Sequence, residues 1–185
     1  MAVAAGIMVP HPPLIVPDVG RGQEILIKDT IKAYQEAAGM AAELKPDTIV
    51  VISPHAVMYA DYFHVSPGKE ARGDFGRFMA PQIGVEAGYD EAFVRELDRL
   101  CGDDDFPMGT EGEREKELDH GTLVPLYFIN QHYRDYKLVR IGGSGLSFAD
   151  HYRAGRYIAR AAENLGRSVF IVASGDLSHK LRGDG

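Results

Sequence analysis

Apolar residues in this chain follow two rhythms. Short runs rich in small and β-branched residues occupy positions 2–9, 47–53 (DTIVVIS), 137–141 and 168–173, and such runs predict strands covered on both faces. Between the first two, Ile27, Ile31, Tyr34, Ala38 and Ala41 recur at spacings of four, three, four and three, one stripe of an amphipathic helix over 23–44 that Pro46 stops. Strand, helix and strand make a βαβ unit, which is right-handed almost without exception. The same spacing predicts a helix over 90–100, with Phe93, Leu97 and Leu100 inward, and another from Ser147 to Gly166, with Phe148, Tyr152, Gly155, Ile158, Ala162 and Leu165 on one side. Residues 122–131 are apolar enough for a buried helix, with Pro125 tolerable in a first turn. Residues 62–86, broken by Gly68, Gly73, Gly76 and Gly84, predict hairpin strands or an edge extension. The charged, Gly-punctuated stretch that includes 103–105 and 111–117 predicts a solvated loop, long enough to serve as a lid. With no repeat and no linker, the pattern is one α/β domain over residues 1–185: a three-layer α/β/α sandwich on a mostly parallel central sheet.

Composition narrows the function classes. A hydrophobic share of 45% and a charged share of 25% are those of a globular protein rather than a disordered or fibrous one. Apolar runs are too short for a membrane span and no basic segment precedes one at the start, so a cytoplasmic location is expected. The 20 Lys and Arg against 27 Asp and Glu leave a net charge of −7, which argues against nucleic acid as a partner. One cysteine, Cys101, forbids an internal disulfide and a Cys-rich zinc or iron–sulfur site. Metal chemistry would have to come from His, Asp and Glu.

Three of the seven histidines follow predicted strands: His11 after Val9, His55 after Ser53 and His179 after Ala173. In a parallel sheet the carboxyl ends of the strands open onto one edge, where ligands bind, so residues remote in sequence converge there. His11 lies between Pro10 and Pro12, and His55 follows Pro54; the prolines stiffen both backbones before any ligand arrives. His120, in Asp119-His120-Gly121, stands between the charged loop and a buried helix, where it can point into a cleft. His64, His132 and His151 lie inside elements and read as structural. Two rigid neutral imidazoles bind a divalent first-row metal; with one carboxylate they form the facial triad that leaves positions open on iron(II). Zinc accepts such a set too, with water in the open position. Two further histidines nearby would move protons near neutral pH. Asp119 could orient His120 and Asp176 could orient His179, or both could cap turns.

Four segments in order carry a resemblance: Pro10-His11-Pro12-Pro13-Leu14-Ile15, Ile49-Val50-Val51-Ile52-Ser53-Pro54-His55, Leu118-Asp119-His120-Gly121-Thr122-Leu123-Val124-Pro125-Leu126, and Ser174-Gly175-Asp176-Leu177-Ser178-His179. Together they resemble the class III extradiol ring-cleavage dioxygenases of the catalytic-subunit, LigB-like type, and look closest to its uncharacterised branch near the AmmeMemoRadiSam and MEMO group. The resemblance implies a non-haem Fe(II) enzyme that cleaves a catechol-type ring with O2, with Zn(II) as the other metal that would fit, and with a homodimer as the expected assembly. It implies His11 and His55 as metal ligands, and His120 and His179 as the catalytic pair that handles protons around the substrate and oxygen. In that family the third ligand is a Glu well downstream of the last motif. No residue matches it before Gly185, so the resemblance implies a domain lacking its C-terminal segment; otherwise Asp61, Asp176 or Glu117 would have to serve.

A second reading, from another class, is a MEMO-like scaffold without redox activity that binds a ligand in the same crevice. A third is hydrolysis by Ser174 or Ser178 beside His179, or by a zinc-bound water. Against it, Gly142-Gly143-Ser144-Gly145-Leu146 has Leu146 where a nucleophile elbow needs its second Gly, and no P-loop or dinucleotide fingerprint occurs.

Overall fold

In the computed structural model, which describes residues 2–176, the chain runs β1 (Val3–Val9), a one-turn α1 (Pro17–Gly20), α2 (Lys28–Leu44), β2 (Thr48–Ser53), β3 (Phe63–His64), β4 (Glu70–Phe75), β5 (Ala80–Gly88), α3 (Glu91–Asp103), β6 (Met108–Gly109), α4 (His120–Ile129), β7 (Lys137–Gly142), α5 (Phe148–Leu165) and β8 (Val169–Ser174). Four strands pair in parallel in the order β1-β8-β2-β7. The β-branched run of β2 is central and covered on both sides. Ile49 and Val51 join the core made with Tyr34, Ala38 and Ala41 of α2 and with Leu123 and Leu126 of α4. Val50 faces the other core, with Phe93 and Leu97 of α3 and Ile158 and Ala161 of α5. This alternation on a two-residue period makes the three layers. The β1→β2 and β7→β8 connections run in opposite directions across the sheet, and α2 and α5 therefore lie on opposite faces, as crossovers of one hand require. No helix among the described residues is long and apolar enough to cross a membrane.

The excursion between β2 and β7 covers both faces. β4 and β5 form the antiparallel hairpin over the α2/α4 side, with Phe75 and Val85 in that core. The two-residue strands β3 and β6 pair in parallel over the α3/α5 side. α3 is capped by Asp90, whose carboxylate accepts from the Phe93 N–H at 3.1 Å and from the Thr48 hydroxyl at 2.7 Å.

Four local expectations are corrected. α2 starts at Lys28, after Gly22 at φ +98° and a 3-10 turn over Gln23–Ile27; its predicted end holds, with Lys45 left-handed before Pro46. α4 starts two residues early, which moves Pro125 from the first turn into the helix interior. On α5, Phe148 and Tyr152 are 94% and 73% exposed, while Ala154, Ile158, Ala161 and Ala162 are buried. The contact stripe is built on alanines, which let α5 lie close to the sheet, so large apolar side chains were the wrong guide to it. The 111–117 loop is solvated, as expected, but tied down rather than lid-like. The buried Arg140 of β7 donates to the Glu117 carbonyl at 2.7 Å, the Glu115 carbonyl at 2.5 Å and Ser66 Oγ at 2.7 Å, and His64 Nδ1 donates to the Glu111 carbonyl at 3.0 Å.

Gly142, the last residue of β7, passes so close to the segment after β2 that a Cβ would run into the Val57 carbonyl oxygen, whereas Gly39 of α2 has open space around it. Gly142→Ala is expected to lower stability by about 1–3 kcal/mol through overpacking, and Gly39→Ala to raise it by about 0.5–1 kcal/mol through helix propensity. Urea unfolding of the two variants against wild type checks both signs.

Candidate metal centre

The strand order places the site. β1 and β2 are not neighbours; β8 lies between them, and the three end level, with Val9 opposite Ser174 and Ile52 opposite Ala173. Two strands apart is about 10 Å between backbones, so side chains leaving the ends of β1 and β2 must reach toward each other across Ser174 to meet. His11 and His55 do so: their Nε2 atoms are 3.0 Å apart. His120, the first residue of α4, completes the group; its ring centroid is 4.0 Å from that of His55 and 5.4 Å from that of His11. Each of the three rings offers a nitrogen within 4.8 Å of the others, and this is a group of metal-ligating atoms that contains no carboxylate among the described residues. His179 lies outside the described residues.

Each ring is held by its own neighbourhood. His11 is buried; its backbone N–H donates to Asp176 Oδ1 at 3.3 Å and its ring Nδ1 is 2.9 Å from Ser174 Oγ. Tyr34 of α2 donates to the Pro10 carbonyl at 2.7 Å, fixing the turn before it. His55 is exposed, and its backbone N–H donates to Ser53 Oγ at 3.2 Å. His120 follows Asp119, which caps α4 by accepting from the Thr122 N–H at 3.0 Å and the Thr122 hydroxyl at 2.9 Å. Of the two sequence readings of Asp119, capping is therefore the one observed. The same carboxylate accepts from Ser53 Oγ at 2.5 Å, which joins the end of β2 to the start of α4. Arg140 reaches to 3.9 Å from its other oxygen.

Beside His55 and His120 opens a cleft of about 310 Å³ walled by Phe78, Leu118 and Leu123, with Arg77, Arg114 and Lys116 also lining it. Phe78 sets the edge of its ring against His120, centroids 5.4 Å apart. A larger groove of about 910 Å³ runs between the β4–β5 hairpin and α4 but holds none of the histidines. His64, His132 and His151 bond locally: His64 anchors the loop, His132 bonds Gln35 Oε1 at 2.7 Å, and His151 bonds the Ser147 carbonyl at 2.9 Å. Sequence reasoning passed over Ser53 and Arg140, and saw in Ser174 only a candidate nucleophile. Their one visible signal was position, a serine ending each of two apolar strands and a lone charge inside a third.

The imidazole of His120 is pushed down from 6.5 to about 4, first by burial, then by the neighbouring His55 and His11; Asp119 and Asp176 pull weakly the other way. An unfolded chain protonates this ring near pH 6.5 and the folded chain only near pH 4, so within that window the unfolded state binds the extra proton and stability falls as pH falls. Metal-free wild type is expected to lose stability relative to His120→Gln between pH 6.5 and 4 and to run parallel with it above pH 7. Urea titrations at intervals across that range check the divergence.

Comparison with known proteins agrees with this geometry. Residues 5–185 match the family described as the catalytic LigB subunit of aromatic ring-opening dioxygenase. Protein CA_C1420 of Clostridium acetobutylicum is 38% identical over 185 aligned positions, covering 96% of this chain and 40% of that protein. The 3,4-dihydroxyphenylacetate 2,3-dioxygenase of Escherichia coli is 26% identical over 160 positions, covering 83% of this chain and 57% of that enzyme. The chain thus matches 40% and 57% of the lengths of these two relatives. With four motif-bearing segments inside a match of this extent, and three of their histidines gathered at one sheet edge, the chain belongs to the LigB catalytic-subunit family of aromatic ring-opening dioxygenases.

Proposed function

We propose that this domain cleaves a catechol-type aromatic ring beside its diol with O2, using iron(II) held by His11 and His55. The observation that carries the reading is the pair of Nε2 atoms 3.0 Å apart. Two nitrogens bound at about 2.1 Å would be separated by about 3.0 Å if they subtend a right angle and by about 3.4 Å if tetrahedral. The observed spacing is close enough for the two rings to hold one divalent ion, and two imidazoles with open positions beside them are the donor type of non-haem iron(II) oxygenases. Iron(II) there would supply the one-electron chemistry by which O2 reacts with an aromatic ring.

The chain's own residues do the rest. His11 and His55 bind, the first ring held within the protein and the second at the mouth, so substrate approaches from the His55 and His120 side. The cleft beside them is walled by Phe78 and Leu123, which suits a flat aromatic ring. His120 is uncharged across the neutral range, so its lone pair is available to take a proton from a substrate hydroxyl. Asp119 fixes its place at the start of α4 and Phe78 limits its rotation.

Iron-reconstituted protein is expected to consume oxygen with a member of a catechol panel. His11→Ala and His55→Ala should each lose stoichiometric iron, whereas His120→Gln should keep iron and lose about 10²–10⁴-fold in rate. Elemental analysis and oxygen-electrode traces on the four proteins decide the matter. No uptake with any catechol would overturn the activity, and equal metal content in wild type and His11→Ala would favour a non-redox scaffold.

A further inference from the structure

Pro125 sits inside α4 and has no N–H. In an uninterrupted helix that N–H would bond the carbonyl four residues earlier, Gly121. The Gly121 carbonyl instead accepts from Ser174 Oγ at 2.5 Å, in the buried space between α4 and the end of β8. A carbonyl can only accept, so the one proton of the Ser174 hydroxyl is committed to it. The other neighbour of that hydroxyl is His11 Nδ1 at 2.9 Å, and with the serine proton spent, the ring must be the donor in that bond.

From this we infer that Ser174 is a positioning residue that holds His11 as its Nδ1–H tautomer, leaving the lone pair of Nε2 for a divalent metal ion. The direction is set by the proline: it removes the helical donor to Gly121, Gly121 draws the serine proton, and the serine draws the imidazole proton. Nε2 of His11 is the atom 3.0 Å from Nε2 of His55, so the tautomer puts the electron pair on the side where the histidines converge. In the metal-free protein His55 must then be the donor across that contact, and an ion held by both Nε2 atoms would require the His55 proton to move to its Nδ1 by exchange with solvent. The ligand in this inference rests on the metal reading above; the tautomer does not, because it follows from the two contacts of the Ser174 hydroxyl.

Ser53 provides an internal comparison. It ends β2 as Ser174 ends β8, is also buried, and also reaches the start of α4, but its hydroxyl meets the Asp119 carboxylate and the His55 backbone N–H, not a ring nitrogen. Removing either serine costs packing and hydrogen bonds at the same edge of the sheet. Removing Ser174 alone should change a tautomer.

The test is a set of long-range ¹H–¹⁵N spectra of the histidine rings at pH 7.5 in metal-free wild type, Ser174→Ala, Ser174→Thr and Ser53→Ala, with zinc(II) affinity measured by competition against a chromophoric chelator. Wild type, Ser174→Thr and Ser53→Ala should show His11 protonated at Nδ1, and Ser174→Ala should shift toward the Nε2–H form. Zinc binding should weaken about 10–100-fold in Ser174→Ala, the usual effect of losing such a partner, and be largely kept in Ser174→Thr. Pro125→Ala, which leaves every site side chain in place, should give a mixture of tautomers and a smaller loss. An unchanged His11 pattern in Ser174→Ala, or the same change in Ser53→Ala, would overturn the inference. A wild type that binds no zinc or iron(II) yet shows the Nδ1–H form would sink the metal reading and leave the tautomer assignment standing.

Discussion

Two strand-terminal serines hold this site together. Ser53 at the end of β2 bonds the Asp119 carboxylate, and Ser174 at the end of β8 bonds the Gly121 carbonyl, so the first turn of α4 is attached at two points to the carboxyl edge of the sheet. Both bonds are 2.5 Å and buried or partly buried, where a missing partner would cost more than the bond itself contributes. Gly121 lies between them because nothing larger fits: a Cβ there would meet Ser53 Oγ and crowd Asp119 and His55. The positions of all three rings follow from this attachment. His120 rides on the helix, His55 leaves the strand beside Ser53, and His11 leans its ring on Ser174.

Arg140 extends the same arrangement to the cleft. A guanidinium with no solvent exposure is costly to bury unless all its donors are used. Here it meets two loop carbonyls and one hydroxyl, with the carboxylates of Glu113 and Asp119 at 4.0 and 3.9 Å. One charged side chain in the middle of a strand thus holds the 113–119 segment as a fixed wall of the cleft and lends positive charge to the residue that caps α4. A substrate would meet a preformed surface on that side, and its ordering cost would be lower than with a mobile lid.

The sheet and its helices were legible because their signals are local. A β-branched run such as DTIVVIS has few alternatives, and Pro46 ends α2 wherever the stripe before it begins. His11 and His55 were legible for the same reason: proline beside each, at the end of an apolar run, marks the carboxyl edge without any tertiary knowledge. What failed was whatever depends on partners far away in sequence. β3 and β6 have two residues each and exist only because they find one another. Phe148 and Tyr152 have the spacing of a core stripe, but the neighbours of α5 accept its alanines and leave the aromatics outside. Ser174 reads as a strand end or a nucleophile until Gly121, 53 positions away, is seen to take its proton. Pro125 looked like a residue to be excused in a helix, and its missing N–H is what frees that carbonyl.

The closeness of the three imidazoles explains why a metal suits the site better than protons do. Nitrogens within 4.8 Å of one another cannot all be charged without repulsion, and the depressed pKa of His120 has His55 and His11 among its causes. A proton adds one charge to one ring and repels the next, whereas a divalent ion placed among the rings is shared by several lone pairs at once and removes the repulsion between their dipoles. Burial, which disfavours an isolated imidazolium, acts less against a neutral ring that donates a lone pair. The cluster is therefore poor at holding several protons at once for the reason that it is good at presenting lone pairs, and the hydrogen-bond chain from Pro125 to His11 adds to this by deciding which nitrogen of the first ring carries its pair.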